Sequence, residues 1–188
     1  MKKVLITASV LSLFVLSAFT AATQGKLISK DTHISFFSHT SVEDITANNY
    51  KVVSTLDTST GALVYSVPMQ SFEFEKALMQ KHYNSKKFLD TKTYPKAKFI
   101  GKIMNVENVN FTENGTYEAT VTGDLTIKDK TNPISEKVTI SVESGKVSIN
   151  TKMNLTLSNY GVTFSGGKPS KNIAKEIEIT VKAVYPNN

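Results

Sequence analysis

Three histidines, His33, His39 and His82, are the side chains best suited to hold a metal or shuttle a proton. A zinc site takes three or four protein ligands. His33 and His39 fall on one face of an extended strand. Six residues of strand separate them by about 20 Å, beyond the reach of one ion without a bulge. No metal centre is therefore expected. His82 lies in a different stretch, with two roles open to it: anchoring its segment by a hydrogen bond, or meeting a ligand headgroup. The 188 residues contain no cysteine, which excludes disulfides, thiol nucleophiles and an acylated cysteine anchor. No serine stands in the Gly-x-Ser-x-Gly frame of a nucleophile elbow. Gly166-Gly167-Lys168-Pro169-Ser170 has only the flavour of a phosphate loop, because the upstream glycine is missing and a proline follows the lysine. Glu43-Asp44 sits in a polar stretch and reads as solvated. Asn110, Asn114 and Asn154 open glycosylation sequons, which matter only in a eukaryotic secretory pathway. No catalytic constellation emerges, so the expectation is a non-enzyme without a cofactor.

The charge pattern narrows the partners. Formal net charge is +6, and all 22 basic residues are lysine. Arginine supplies the planar fork that reads phosphates and base edges, so its absence argues against nucleic-acid binding. Lysines spread over polar positions suit a solvated surface and brief contact with an anionic membrane. The oligomeric state stays open, a homodimer included.

Met1-Lys2-Lys3, the apolar run from Val4 to Phe19 and the small residues Thr20-Ala21-Ala22 have the three parts of a secretory signal peptide. The run is short for a membrane span and carries Thr7, Ser9, Ser12 and Ser17. Residues 1–22 are expected to be removed, leaving 23–188 as one domain in the periplasm or outside the cell.

Beyond the leader the pattern is strand after strand. Ile34 and Phe36 belong to a strand ending near His39. A second covers 50–56, and Asp57 to Gly61 turn it into 62–68. Strand residues resume at 98–106, and Glu113-Asn114-Gly115 reads as a tight hairpin turn. Tyr117, Ala119, Val121, Gly123, Leu125 and Ile127 share one face, as in a half-buried antiparallel strand. Residues 128–132 and Pro133 are expected to break it. Val138, Ile140 and Val142 then alternate with polar residues, Ser144-Gly145 turns, and Val147, Ile149, Met153 and Leu155 follow. Tyr160 to Lys171 reads as an irregular loop before a last strand through Ile177, Ile179, Val181, Ala183 and Tyr185. The fold class is all-β. About eight strands joined by hairpins close into an antiparallel up-and-down barrel, lipocalin-like, which removes exposed edges; an open sandwich is the alternative. Such a barrel is filled by its own side chains or holds one small ligand.

Residues 72–99 interrupt the alternation. Between Glu75 and Tyr83 the apolar residues follow helical spacing, and Tyr94-Pro95 ends the segment. A short helical insert near residues 75–84 with an extended return is expected. Its aromatics either fill the core under a loop or line the mouth of an apolar cavity, and the residue pattern accommodates both.

The order Ser71-Phe72, Leu78, Met79, His82, Phe88-Leu89-Asp90, Tyr94-Pro95, Lys98-Phe99 resembles the helix-and-return segment of the lipid/polyisoprenoid-binding YceI-like family. Asp31-Thr32-His33-Ile34-Ser35-Phe36 is similar to that family's opening strand, and Gly123-Asp124-Leu125-Thr126-Ile127 to its "glycine-x-leucine-threonine" strand. Pro133 and Val138 fall in its "proline-valine" region, and Tyr160-Gly161-Val162 and residues 177–184 match its end. Two departures stand out. Lys128-Asp129-Lys130-Thr131 replaces the "histidine-glycine-valine-threonine" turn, and residues 42–49 lack "glycine-x-phenylalanine".

The resemblance implies a lipocalin-like barrel holding an isoprenoid or fatty-acyl amphiphile without reaction. The expected lining is Phe36, Phe72, Phe74, Leu78, Met79, Phe99, Leu125, Ile127, Met153 and Leu155. His82, Tyr83 and Lys87 are expected near the entrance. Two other classes remain: a ligand-free periplasmic interaction or stress-protection module with a filled barrel, and a small outer-membrane barrel. The polar alternate face and the mid-chain helix argue against the second.

Overall fold

The computed structural model describes residues 25–163 and 171–186. The expected leader, residues 164–170 of the expected loop and the last two residues lie outside them. In chain order the strands are β1 (Lys26–His39), β2 (Asp44–Asp57), β3 (Ala62–Pro68), the two-residue β4 (Glu73–Phe74), β5 (Lys96–Met104), β6 (Gly115–Ile127), β7 (Lys130–Glu143), β8 (Lys146–Thr156) and β9 (Glu176–Pro186), with one helix, α1 (Ala77–Asn84).

Each long strand pairs antiparallel with its neighbour, from β1 through β2, β3, β5, β6, β7 and β8 to β9. Pairing of β1 with β9, Phe36 opposite Ile179, closes the ring. The result is an eight-stranded up-and-down barrel, with β4 added beside β2 at Ala47↔Phe74. Closure pairs the first strand with the last and so removes the two outer edges of the sheet. Alternation sends one apolar set inward along each strand, so Val52, Leu56, Leu63, Ile140, Ile149 and Tyr185 are buried.

The chain reverses at two ends. One end carries the 40–43 turn, the segment 69–95 with α1, the β6–β7 turn and the β8–β9 connection. The other carries the tight β2–β3 and β7–β8 turns. Ser144 and Gly145 both have positive φ, 48° and 76°. That backbone matches the right-handed strand twist in a two-residue hairpin.

Four local expectations are corrected. β2 begins at Asp44, not Tyr50. Its first half, with Ala47, Asn48 and Asn49, has weak strand propensity but is held between β1 and β4. Asn49, fully buried, donates to the Pro68 carbonyl at 2.9 Å and accepts from the Lys51 amide at 3.0 Å. These bonds serve where β2 leaves β3. Residues 85–94 are not extended but coil in successive turns. Asp90, at φ 46°, donates its amide to the Ser85 carbonyl, and its own carbonyl accepts from Tyr94. Asn114-Gly115 is not a tight hairpin; residues 105–114 form a longer connection, and the Asn114 side chain instead caps the Ser144 amide at 3.0 Å.

Finally, Pro133 does not break the sheet. β7 starts at Lys130 and Pro133 pairs with Asp124. Proline lacks a ladder donor, and β7 pairs with β8 only over 139–143, so Pro133 faces no strand on that side.

Candidate functional site

The barrel interior is not full. A cavity of about 650 Å³ runs from the helical end down to Tyr65 and Phe99, within the usual range for small-molecule sites. The alternation of the strands supplies its walls and the insert its cover.

The cover is built on aromatic contacts. The Tyr83 ring of α1 lies 5.7 Å from Phe72, 5.0 Å from Phe74 and 6.0 Å from Phe36, with Phe88 at 6.3 Å. Offset and edge contacts at these spacings are favourable beyond their buried area. Among the described residues its hydroxyl meets only the Met69 sulfur, at 3.9 Å, and burial pushes its ionisation well above that of an ordinary tyrosine. Leu78, on the opposite face of α1, is 63% exposed at the mouth.

A polar clasp crosses the same mouth. Glu43 accepts from Lys76 Nζ at 3.1 Å and from Asn172 Nδ2 at 2.9 Å, and these two bonds hold its carboxyl below the usual range. Ser38 Oγ accepts from the Ala174 amide at 2.9 Å. The 40–43 turn, the start of α1 and the connection leading into β9 are thereby tied together. Glu43 is thus engaged across the mouth, while Asp44 stays exposed and meets the exposed His39 Nδ1 at 2.5 Å.

At the floor, Gly101 and Gly123 face each other across β5 and β6. A Cβ on Gly101 would lie 2.4 Å from Phe99 Cζ, so the missing side chains make room for the Phe99 ring. Tyr65 packs on Phe99 at 6.2 Å, and its hydroxyl lies 3.5 Å from that of Tyr185. Beneath, Thr32 Oγ1 bridges Ser29 Oγ and Ser54 Oγ at 3.1 and 2.9 Å. The barrel's blind end is therefore polar but satisfied, as buried hydroxyls must be.

Phe36, Phe72, Phe74, Phe99, Leu125, Ile127, Met153 and Leu155 all border the cavity, and Leu78, Met79, His82, Tyr83 and Lys87 surround its mouth. Tyr83 is the anchor of the insert. The His82 imidazole is exposed and makes no hydrogen bond among the described residues; its backbone carbonyl accepts from the Ser85 amide at 3.0 Å and the Ser85 hydroxyl at 2.7 Å. His33 and His39 do not meet: His33 Nε2 bonds Asn48 at 2.9 Å and its ring stacks on Tyr50 at 4.4 Å.

Sequence reasoning missed Tyr65, Met69 and Tyr160, whose strand or turn positions border the cavity. It also missed Glu136, whose inward parity follows from β7 running unbroken from Lys130 to Val138.

Comparison with known proteins agrees with this architecture. A UPF0312 protein of Pseudomonas putida is 30% identical over 110 residues, 55% of this chain and 52% of its own length. One from Pseudomonas syringae pv. tomato is 34% identical over 92 residues, 46% of this chain and 44% of its own. The chain thus spans about half the length of the curated relatives it matches. Among solved structures, a polyisoprenoid binding domain from Saccharophagus degradans superposes with a TM-score of 0.73 at 10% identity, covering 88% of this chain and 99% of that one. BcnA of Burkholderia cenocepacia gives 0.67 at 21% identity, with 81% and 95% covered. These likenesses are of fold. The YceI-like domain family matches residues 26–185, and with that match across the whole barrel the chain belongs to the YceI-like family.

Proposed function

We propose that the protein is exported and holds an isoprenoid or fatty-acyl chain inside its barrel without reacting with it. The observation that carries the reading is the cavity of about 650 Å³, walled by Phe36, Phe99, Leu125, Ile127, Met153 and Leu155. Removing each methylene from water contributes about 0.8 kcal/mol, so a chain of roughly ten carbons outweighs ordinary ordering costs. The name of the Saccharophagus degradans domain, polyisoprenoid binding, supports the choice of ligand class. Open space of this size counts against a filled barrel acting only through its outer face.

Native mass spectrometry of the protein purified without detergent from a bacterial periplasm tests this directly. The expected mass begins at Thr23 and carries an adduct matched by an isoprenoid or acyl species in a solvent extract. Leu125→Trp or Met153→Trp, which fill the tunnel, should abolish the adduct. A clean apo mass that takes up neither added isoprenoid quinones nor prenyl phosphates overturns the reading.

A further inference from the structure

Within an apolar tunnel, one wall residue is out of place. Among the described residues, the Lys, Asp and Glu side chains that border the cavity are Glu43, Lys76 and Lys87, from the mouth segments, and Glu136. Glu136 alone rises from a barrel strand. It faces inward between Ile134 and Val138, opposite Val121 of β6. Glu43 and Lys76 neutralise each other. Glu136 has no ion pair or hydrogen-bond partner among the described residues.

Its place in the wall matters as much as its charge. β7 and β8 pair only as far as Thr139↔Asn150. Beyond that rung, β7 pairs only with β6 and β8 only with β9. Two bonds span the divergence: Thr151 Oγ1 to the Lys137 carbonyl at 2.7 Å, and Asn132 Nδ2 to the Asn159 carbonyl at 2.9 Å. Between these braces the ladder is open, and Ile134, Glu136, Met153 and Leu155 border the opening from within. Glu136 is half-buried at its lower sill, next to the braced Lys137.

A carboxylate here is tolerable while water reaches it. An alkyl chain filling the tunnel displaces that water, and an unpaired charge against hydrocarbon is costly. The occupant must then bring a complementary group to this level of the wall. A carboxylate or phosphate headgroup there would meet like charge, which rejects it. The geometry points to Glu136 as a headgroup-recognition residue for cationic amphiphiles, in which a protonated amine on an alkyl chain pairs with its carboxylate at the β7–β8 opening. This assignment rests on the lipid-holding reading above and specifies the ligand's polar group. It runs against the chain's net charge of +6, which by itself attracts anions.

The test is isothermal titration of the purified protein with dodecylammonium, dodecanoate and dodecanol, each below its micelle concentration, at neutral pH and low salt. Wild type is expected to bind dodecylammonium at least about tenfold tighter than dodecanoate, a difference set by one charge pair. Glu136→Gln should abolish that preference and, by removing the unpaired charge from the wall, strengthen dodecanol. Glu136→Leu should strengthen dodecanol and dodecanoate. Glu143→Gln removes the same charge from the outer face of β7 and should leave the preference intact. Equal or tighter binding of dodecanoate by wild type overturns the assignment, and so does a preference that survives in Glu136→Gln. In both cases dodecanol binding would leave the lipid-holding reading standing. Failure of every probe to bind a folded wild type overturns both.

Discussion

Phe99 closes the floor of the cavity because two residues opposite each other have no side chain. A methyl group on Gly101 would lie 2.4 Å from both Phe99 Cζ and the Thr122 carbonyl oxygen. One on Gly123 would lie 2.4 Å from Gly101 Cα and the Ile100 carbonyl oxygen. The ring can swing away, but the backbone atoms cannot without disturbing the β5–β6 ladder. Gly101→Ala should therefore destabilise the protein by about 1–3 kcal/mol, as overpacking does, and push Phe99 up into the cavity. Urea denaturation reads the first effect, and weaker uptake of a dodecyl-chain ligand reads the second. Unchanged stability would mean that the floor is looser than its geometry. Lys128 illustrates the opposite economy. It occupies the first position of the β6–β7 turn at φ 57°, where glycine is at ease. Its side chain reaches the Phe88 carbonyl at 3.3 Å and lies over the Tyr94 ring at 5.8 Å. The departure from a glycine turn thus ties the barrel rim to the insert.

At the scale of the element, α1 is too short to persist alone. Eight residues fall below the length at which isolated helices form, and its N-cap, Lys76, makes no side-chain capping bond. Burial of Tyr83 among Phe36, Phe72 and Phe74 must hold it down. Tyr83→Ala should cost roughly 3–5 kcal/mol, in the range of aromatic truncations. Tyr83→Phe forfeits only a long contact to sulfur and should cost under about 1 kcal/mol. Hydrogen exchange localises the effect: protection should fall first in residues 77–94. Equal costs for the two variants would show that the hydroxyl, not the ring, fastens the insert. The helix and its apolar residues were legible because 3.6-residue spacing stands out against strand alternation. The turns of 85–94 were not, because they are specified by backbone bonds to Ser85 and Asp90 that leave no periodic trace. Reading Pro133 as a breaker misplaced the start of β7 and hid the parity that turns Glu136 inward. Proline is acceptable there only because β8 has already diverged, a tertiary fact that local sequence does not carry.

For the whole molecule, closure depends on which side chains can fill the blind end, and tyrosines do much of that filling. Alternation and turn residues made the eight-stranded barrel legible. The depth of the cavity was not, since the same apolar positions serve a filled or a hollow barrel. One consequence of tyrosine packing reaches beyond the cavity. Burial raises the ionisation of Tyr65, further helped by Tyr185 beside it, and burial likewise raises that of Tyr83, Tyr160 and Tyr185. In the unfolded chain each ionises near pH 10. Above that pH the unfolded state releases protons that the native state keeps, so the slope of stability against pH is negative. The stabilisation is complete below about pH 10 and is lost as pH climbs through the raised folded values. The acid side is different. Asp57, held low by Ser59 and the Thr60 amide, and Glu43, held low by Asn172 and Lys76, contribute stability that disappears as pH falls. Both are solvent-screened and contribute little. The protein should therefore resist acid and unfold cooperatively in alkali. Urea midpoints across the alkaline range should fall steeply, and Tyr65→Phe should make that fall shallower by removing one of the four buried phenols. Tyrosinate absorbance gives an independent check, uncluttered because the chain has no tryptophan. Part of the tyrosine signal should appear only together with unfolding. If all the tyrosines ionise while the barrel's circular dichroism is still native, the buried hydroxyls are not what links stability to pH.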